Sequence, residues 1–264
     1  MNLLVDMGNT RLKWLLIDPG WLLIDPGRKL VDPSLSSSGA LLHGPNLMQQ
    51  LDAAWGKLAL PQRVVVANVA GAKAQQDLQS WVQRHWPAAL MHVVTAVAAQ
   101  LGVKNSYREP AQLGSDRWAA LIGARRRVTG AVCVVDCGTA ITLDALDAAG
   151  EFIGGVILPG IALARDALLT RAPGIAKTEG DDRQCFAHST ADGVAAGTLY
   201  GAVGAMERIV AEFGARLGKD MRVLLTGGDA PRLRPLLRGP WLEATEEVPD
   251  LVLQGLAHIA ESLQ

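Results

Sequence analysis

The chain lacks a long hydrophobic run, an excess of one charge and an even number of cysteines, and each absence excludes a class of protein. No apolar run approaches the roughly 18 residues that a membrane span requires. Asp6 interrupts the apolar N-terminus and no basic segment precedes it, so we expect no signal peptide. The net charge of −1 does not favour a nucleic-acid-binding surface, and three cysteines fit a reducing compartment. We therefore expect a cytoplasmic protein that binds neither membranes nor nucleic acid.

Common motifs for metals and nucleotides are missing as well. The five histidines show no metal-ligand spacing. Cys133 and Cys137 are expected on one face of a strand, about 13 Å apart, which is too far for a disulfide. The sequence contains neither the G-x-x-x-x-G-K-[ST] phosphate loop nor the G-x-G-x-x-G dinucleotide motif. A nucleotide site must therefore be built from other segments.

Two segments that resemble each other supply candidate phosphate loops. Residues 3–10 and residues 132–140 each run from an apolar strand into an Asp-x-Gly turn. The matching pairs are Asp6 and Asp136, Gly8 and Gly138, and Asn9 and Thr139. Glycine lets a backbone approach a phosphate, and Asn or Thr offers hydrogen bonds. Two such loops suggest a duplicated fold whose halves face each other across a nucleotide.

Hydrophobic patterning predicts a similar order of strands and helices in both halves of the chain. Strands are expected at 2–6, 11–18, 63–68, 90–95, 131–136, 141–146 and 152–158, with a strand and glycine turn at 221–228. Helices are expected at 46–59, 73–86, 161–171, 191–217 and 250–263, and from Ser115 as an N-cap. Residues 34–44 and 96–114 are expected to be irregular. The pattern indicates a pseudo-symmetric α/β protein with domains at 1–115 and 116–264, whose terminal helix could pack back on the first domain.

The segment Trp14–Gly20 is repeated without change at residues 21–27. The repeat could lengthen a hairpin, or it could be a duplication tolerated at a sheet edge or in a loop, which we favour. A shift of seven residues inverts the in–out alternation of a strand, so both copies cannot extend one strand.

Three polar clusters carry the candidate chemistry. Lys13, on the strand that leaves the first loop, is either solvated or a point charge for a phosphate. Asp116, within the sequence Gly-Ser-Asp-Arg at 114–117, is either a helix-capping acid or a base for phosphoryl transfer. The helix dipole is expected to keep it ionised. Gly227 and Gly228 form either a plain turn or a flat surface for an adenine ring.

In their order, these motifs resemble those of the type III pantothenate kinases, of the acetate and sugar kinase/Hsp70/actin superfamily. The matching segments span nearly the whole chain: 6–13, Tyr107 with 114–117, 136–142, 154–160, 189–190 and 226–228. Each motif is a modest match, whereas the ordered set is highly specific. The resemblance implies two pseudo-symmetric ribonuclease H-like (actin-like ATPase) domains around a nucleotide cleft.

The resemblance also implies a reaction. ATP with Mg²⁺ would phosphorylate the primary hydroxyl of pantothenate to 4'-phosphopantothenate, the first step of coenzyme A biosynthesis. Asp116 would accept the proton, and Asp136 would bind K⁺ or NH₄⁺. ATP would contact Asp6, Met7, Gly8, Asn9, Thr10, Arg11, Leu12, Lys13, Thr139, Gly227 and Gly228. Pantothenate would contact Tyr107, Gly114, Ser115, Asp116, Arg117 and Thr190. Family members are usually homodimers with the substrate site near the subunit interface.

Two other functions stay open at this point. Some proteins of this family are named as accessory factors for a virulence regulator (Bvg accessory factor), so a transcription-accessory role is the runner-up. The sequence has no helix-turn-helix signal and no basic face to support it. Another small-molecule kinase or an exopolyphosphatase of the superfamily is the second alternative, against which the intact segment from Tyr107 to Arg117 argues.

Overall fold

The computed structural model describes residues 1–18, 37–44, 46–172, 174–175 and 179–263, and the chain divides into two compact units. Unit 1 comprises Met1–Thr129, Gly150–Phe152 and Asp250–Gln264, and unit 2 comprises Gly130–Ala149 and Ile153–Pro249. The expected boundary between residues 115 and 116 differs from this division. The helix that begins at Ser115 is grouped with unit 1, because it packs on the terminal helix of the chain and on a strand of that unit.

Unit 1 is built on a five-stranded sheet in the order β3-β2-β1-β4-β5. The strands are β1 (Asn2–Met7), β2 (Arg11–Ile17), β3 (Ser37–Leu42), β4 (Arg63–Asn68) and β5 (Leu90–Val93). β1 is antiparallel to β2 and parallel to β4. Leu3, Leu4 and Val5 are completely buried, as expected for a central strand that is covered on both faces.

Helices cover both faces of this sheet. On one face, α1 (Leu47–Trp55) and α2 (Ala72–His85) bring Trp55 and Trp81 into a core with Val5. Side chains alternate along a strand, so Leu4 faces the opposite side.

On that opposite side, α3 (Ser115–Arg127) packs against α7 (Leu251–Ser262), and α7 in turn packs on β1 and β4. A Cβ on Gly255 would lie less than 3.0 Å from the Ala119 backbone, so glycine permits this close helix packing. The terminal helix therefore belongs to the first unit.

Two short strands and a turn lead into α3. β6 (Ala99–Gln100) and β7 (Val103–Asn105) form an antiparallel hairpin, and a 3₁₀ turn follows at Pro110–Gln112. In unit 1, Glu151 and Phe152 pair with β7. The prediction that all of 96–114 is irregular was wrong for these strands, which are too short to produce an alternating pattern.

Unit 2 repeats the scheme with the strand order β12-β11-β8-β9-β10. The strands are β8 (Val132–Cys137), β9 (Ala140–Leu146), β10 (Glu151–Pro159), β11 (Arg222–Thr226) and β12 (Thr245–Glu247), and β10 contributes residues 153–159 to this unit. The helices are α4 (Ile161–Arg171), α5 (Thr190–Leu217) and the short α6 (Ala230–Leu233). Cys133 and Cys137 lie in one core cluster of this unit, on the same face of β8 as their spacing predicts, and both are free thiols.

The two units share a detailed internal symmetry. β1 and β8 both have six residues and the same sequence of buried and half-buried positions, with Asp6 and Asp136 as the half-buried fifth residues. Each is antiparallel to the next strand of the chain and parallel to a later one, β4 or β11. The predicted duplication of a mixed α/β unit is therefore confirmed.

Two further local predictions were wrong. The described part of 34–44 contains β3, which was missed because its Ser- and Gly-rich sequence lacks the usual strand composition and pairing to β2 holds it. Ser115 is not the N-cap of α3, since Gly114 occupies that position without a side-chain bond. The tandem copy at 21–27 lies outside the described residues.

Candidate active site

The first candidate loop, Gly8–Thr10, follows β1 in unit 1. The Gly8 N–H donates to the Arg11 carbonyl over 3.0 Å, which closes the turn, and Asn9 and Thr10 are exposed. Asp6 lies opposite Lys13 in the β1–β2 register, so a carboxylate and an ammonium share the base of the loop.

Not every residue assigned to ATP in this segment can use its side chain. Met7 and Leu12 are completely buried in the core of unit 1, whereas Arg11 is exposed and Lys13 is half-buried. Met7 and Leu12 therefore fix the position of the loop, and any contact with a ligand would come from their backbone.

His43, one of the five histidines without metal-ligand spacing, lies against the first loop. Its backbone N–H donates to the Thr10 carbonyl over 3.0 Å. Burial lowers the pKa of His43, and a hydrogen bond between the imidazole and the Gly8 backbone opposes that shift. No sequence motif marks this residue, because it follows the edge strand β3 that the sequence did not reveal.

Residues 114–117, which are assigned to pantothenate, lie beside the end of β4. Ser115 Oγ accepts from the Asn68 N–H over 2.9 Å and lies 3.2 Å from the Asn68 carbonyl, to which the hydroxyl donates. Asn68 is paired with Met7, the last residue of β1. These bonds connect the start of α3 to β4, the strand beside β1 and the first loop. The Ser115 hydroxyl is therefore used for β4 and does not cap its own helix.

Asp116 occupies the first turn of α3, where its Oδ1 accepts from the Arg117 N–H over 2.7 Å. A Cβ on Gly114 would lie 2.6 Å from that oxygen, so a glycine leaves room for the carboxylate. Burial raises the pKa of Asp116, and the hydrogen bond and charge of Arg117 oppose this only in part. The expectation that the helix end keeps the group ionised therefore gave too little weight to desolvation. A raised pKa makes the carboxylate a better proton acceptor.

Arg117 and Tyr107 form the wall beside Asp116. Arg117 is almost completely buried, and its Nη1 donates to Tyr107 Oη over 3.2 Å. The guanidinium carbon lies 5.9 Å from the ring centres of Tyr107 and Phe152, within the range of a cation–π interaction. Unit 1 thus brings together Tyr107, Gly114, Ser115, Asp116 and Arg117, five of the six residues assigned to pantothenate.

The second candidate loop, Gly138–Thr139, is held by two glycines of unit 2. The Gly160 N–H donates to the Thr139 carbonyl over 3.0 Å, and a Cβ on Gly160 would lie less than 3.0 Å from the carbonyl oxygens of Gly138 and Thr139. On the other side, a Cβ on Gly227 would lie less than 3.0 Å from Asp136 Oδ1. Gly227 also has a φ of 95°, which a glycine adopts without strain.

Asp136 places a carboxylate near the end of β8, and carboxylate oxygens are ligands that hard cations prefer. The space beside it depends on Gly227, since a side chain there would fill it. Among the described residues, no group of three or more His, Cys, Asp or Glu side chains is arranged to hold a metal. A cation at Asp136 would therefore rely on backbone oxygens and on its other ligands.

Thr190 begins α5 directly after Ser189, whose side chain caps the helix by accepting from the Asp192 N–H over 3.1 Å. Thr190 lines a largely apolar cavity of about 900 Å³ between α4 and α5. It lies in unit 2, apart in sequence from the other five residues assigned to pantothenate.

No helix in the described parts of the chain is both long and apolar enough to cross a membrane.

Comparison with solved structures gives the fold. A putative Baf family transcriptional activator from Campylobacter jejuni aligns with a TM-score of 0.58 at 20% identity, covering 99% of this chain and 98% of that one. A putative 2-dehydro-3-deoxygalactonokinase from Sinorhizobium meliloti aligns with a TM-score of 0.55 at 16% identity, covering 100% and 99%. The predicted actin-like ATPase and sugar kinase fold is confirmed.

Comparison with known sequences gives the family. The model of the type III pantothenate kinases matches residues 2–212. A type III pantothenate kinase from Nitrosococcus oceani is 39% identical, covering 99% of this chain and 94% of that protein. One from an Azoarcus species is 40% identical, covering 98% and 90%. With a matching family model and relatives of this similarity along almost its whole length, the chain belongs to the type III pantothenate kinase family.

Proposed function

We propose that this protein transfers the γ-phosphoryl group of ATP to the primary hydroxyl of pantothenate, the first step towards coenzyme A. Membership of the family supports the reaction and the substrate. The observation that supports the chemistry is the raised pKa of the Asp116 carboxylate, which lies beside the hydrogen-bonded pair of Arg117 and Tyr107.

In this mechanism Asp116 accepts the hydroxyl proton as the pantothenate oxygen attacks the γ-phosphorus. The bond between the γ-phosphorus and the β–γ bridging oxygen breaks, and ADP leaves. Phosphoryl transfer needs positioning more than a strong base, because its transition state is loose. The partly buried site favours proton uptake by Asp116, and Arg117 lies close enough to oppose the charge of a nearby anion. Tyr107, Gly114 and Ser115 would shape the acceptor site, and Thr190 is assigned to it from the family resemblance.

The nucleotide contacts are proposed for residues 6–13 and for Thr139, Gly227 and Gly228. Gly8 leaves the backbone of its loop open, and the exposed Asn9 and Thr10 can donate to phosphate oxygens. Lys13 supplies a positive charge at the base of the same loop. Mg²⁺ bound with ATP would neutralise phosphate charge, and K⁺ or NH₄⁺ at Asp136 would offset that carboxylate. A homodimer and a cytoplasmic location stay predictions.

A substrate panel tests the proposal. The purified chain is incubated with ATP, Mg²⁺ and K⁺ and, in separate reactions, pantothenate, acetate and several sugars, and the products are identified by mass spectrometry. We expect 4'-phosphopantothenate as the main product, and a much slower formation of it by the Asp116→Asn variant. Turnover of a different acceptor with no phosphopantothenate would favour another kinase of the superfamily. Absence of any kinase activity from folded protein would favour the transcription-accessory role.

A further inference from the structure

The segment between β7 and α3 carries Tyr107 and has little regular structure of its own. We call residues 106–113 the acceptor loop. Arg117 Nη1 fixes the tip of the Tyr107 side chain by donating to its hydroxyl over 3.2 Å. A contact at the tip does not fix the backbone, and a loop that is free to move must be ordered when its ligand binds, which weakens binding.

A single side chain ties the first turn of this loop to its 3₁₀ turn. Asn105 Oδ1 accepts from the Tyr107 N–H over 3.1 Å, and Asn105 Nδ2 donates to the Pro110 carbonyl over 3.1 Å. One contact holds the first turn of the loop, and the other holds the start of its 3₁₀ turn. The Tyr107 N–H is a donor and the Pro110 carbonyl is an acceptor. The bridge therefore requires a side chain that both accepts and donates hydrogen bonds, as the amide of asparagine does.

The root of the loop is itself anchored. The Asn105 N–H donates to the Ala98 carbonyl over 2.9 Å. Asn105 pairs with Phe152 in the sheet, and Ser106 Oγ donates to the Phe152 carbonyl. The ring of Phe152 lies 5.4 Å from that of Tyr107. Phe152 therefore contacts the Tyr107 ring and also anchors the start of the acceptor loop through its backbone.

From these contacts we infer that Asn105 is a positioning residue for the acceptor substrate, holding the acceptor loop so that Tyr107 stands ready beside Arg117. The inference rests on the proposed function only in naming pantothenate as the ligand. Loss of the bridge should weaken acceptor binding and leave nucleotide binding unchanged, because its hydrogen-bond partners, Tyr107 and Pro110, lie in the acceptor loop, outside residues 6–13.

The kinetic test compares four variants of the full chain. Asn105→Ala should raise KM for pantothenate about tenfold, as expected for the loss of one to two partly buried hydrogen bonds. Asn105→Asp should also raise it, because a carboxylate keeps the contact with the Tyr107 N–H but repels the Pro110 carbonyl. Ser106→Ala removes the second anchor and should act in the same direction with a smaller effect.

The matched control is Gln112→Ala in the same loop. Gln112 is exposed and its Nε2 donates to the exposed Glu109 side chain over 2.6 Å, so KM should not change. KM for ATP should stay within about twofold in all four variants. An unchanged KM for pantothenate in Asn105→Ala, or an equal rise in both KM values, would overturn the inference. If Asn105→Ala does not fold, Ser106→Ala decides on the same criteria.

Amide hydrogen exchange separates this inference from the proposed function, because it needs no substrate. Asn105→Ala should speed exchange at the Tyr107 N–H, which loses its acceptor, while exchange in the β1–β4 pair stays slow. Unaltered exchange at Tyr107 would contradict the positioning role, whatever the substrate. Faster exchange in a chain that does not phosphorylate pantothenate would leave the loop anchor standing and refute the assigned reaction.

Discussion

The two candidate phosphate loops are closed by the same backbone contact but by different residues. In unit 1, the residue after β3 donates from its N–H to the last loop carbonyl, from His43 to Thr10 over 3.0 Å. In unit 2, the residue after β10 does the same, from Gly160 to Thr139 over 3.0 Å. The sequence similarity covers the loops themselves, and the structure extends it to the third strand of each sheet.

The difference lies in the space around that contact. Four residues separate the last pair of the β1–β2 register, Met7 and Leu12, and three separate Cys137 and Ile141 in β8–β9. The longer first loop is contacted by an imidazole, whereas the shorter second loop leaves no room for a Cβ at Gly160. The fold thus preserves a backbone hydrogen bond while the space at each loop sets which side chain is tolerated.

The largest expected effect concerns the proton acceptor, which we assign to unit 1 alone. Asp116→Asn should lower kcat by about 10²–10⁴-fold, because the proton acceptor is lost. Its raised pKa means that the folded state binds this proton more tightly than the unfolded chain, so the ionised carboxylate costs stability at neutral pH. The variant should therefore melt no lower than the unaltered protein.

The matched control for Asp116 is Asp77→Asn on the exposed face of α2, which should keep full activity. In the unaltered enzyme, kcat/KM should fall as the pH drops through the pKa of Asp116. Because this pKa is raised, the fall should begin at a higher pH than it would for an ordinary aspartate. Near-normal turnover of Asp116→Asn would contradict the assignment.

The comparison of the loops predicts the next effect. Gly160→Ala should destabilise the protein by about 1–3 kcal/mol and raise KM for ATP, because the new Cβ forces the second loop to move. Gly204→Ala, at an open and exposed site on α5, should be neutral or slightly stabilising. Thermal melting and ATP titration measure both. Equal behaviour of the two variants would show that the fit around Gly160 is not tight.

The two loop aspartates sharpen the comparison further. Asp6 faces Lys13 across the strand pair, whereas Asp136 faces Thr142. A carboxylate at a strand end beside a phosphate loop would repel ATP, so a bound cation is expected at Asp136 and activity should rise with K⁺ or NH₄⁺ much more than with Na⁺. Asp136→Ala should abolish this dependence. Full activity of the unaltered enzyme in buffer free of K⁺ and NH₄⁺ would rule out the cation site.

A smaller effect is expected at His43. His43→Ala removes the imidazole contact with Gly8 but keeps the backbone bond to Thr10, so KM for ATP should rise only a few-fold. Burial lowers the pKa of His43 from its ordinary value, which favours the neutral imidazole, so the effect should not grow as the pH rises above neutrality. Leu42→Ala, an exposed neighbour on β3, serves as the control. A change above tenfold would mean that the imidazole contacts the nucleotide itself.

The smallest effect is predicted for the tandem copy. Deletion of residues 21–27 leaves Lys13 and the segment Trp14–Gly20 in place, so ATP affinity and turnover should stay within a few-fold. Stability should change little, since doubling a loop costs roughly 0.6 kcal/mol. An insoluble or inactive product would show that the second copy is structurally required.

Sequence reasoning was most accurate for buried, strongly apolar segments. The central strands β1, β4, β8 and β11 were predicted within about a residue or two, because runs of Val and Leu between turn residues leave few alternatives. It failed for β3, whose exposed Ser and Gly residues are held by pairing with β2, and for the role of Ser115, whose hydroxyl bonds to a strand 47 residues away. Such partners cannot be inferred from local pattern.

The sequence by itself determined the duplicated α/β plan, the two Asp-x-Gly loops and the place of Asp116 at the start of a helix, since these follow from periodicity and motif order. Only the tertiary structure decided the raised pKa of Asp116, the contact of His43 with the first loop and the bridge made by Asn105. Each of these depends on which groups exclude water from, or donate hydrogen bonds to, a residue distant in the chain. Such proximity exists only once the sheets and helices have packed.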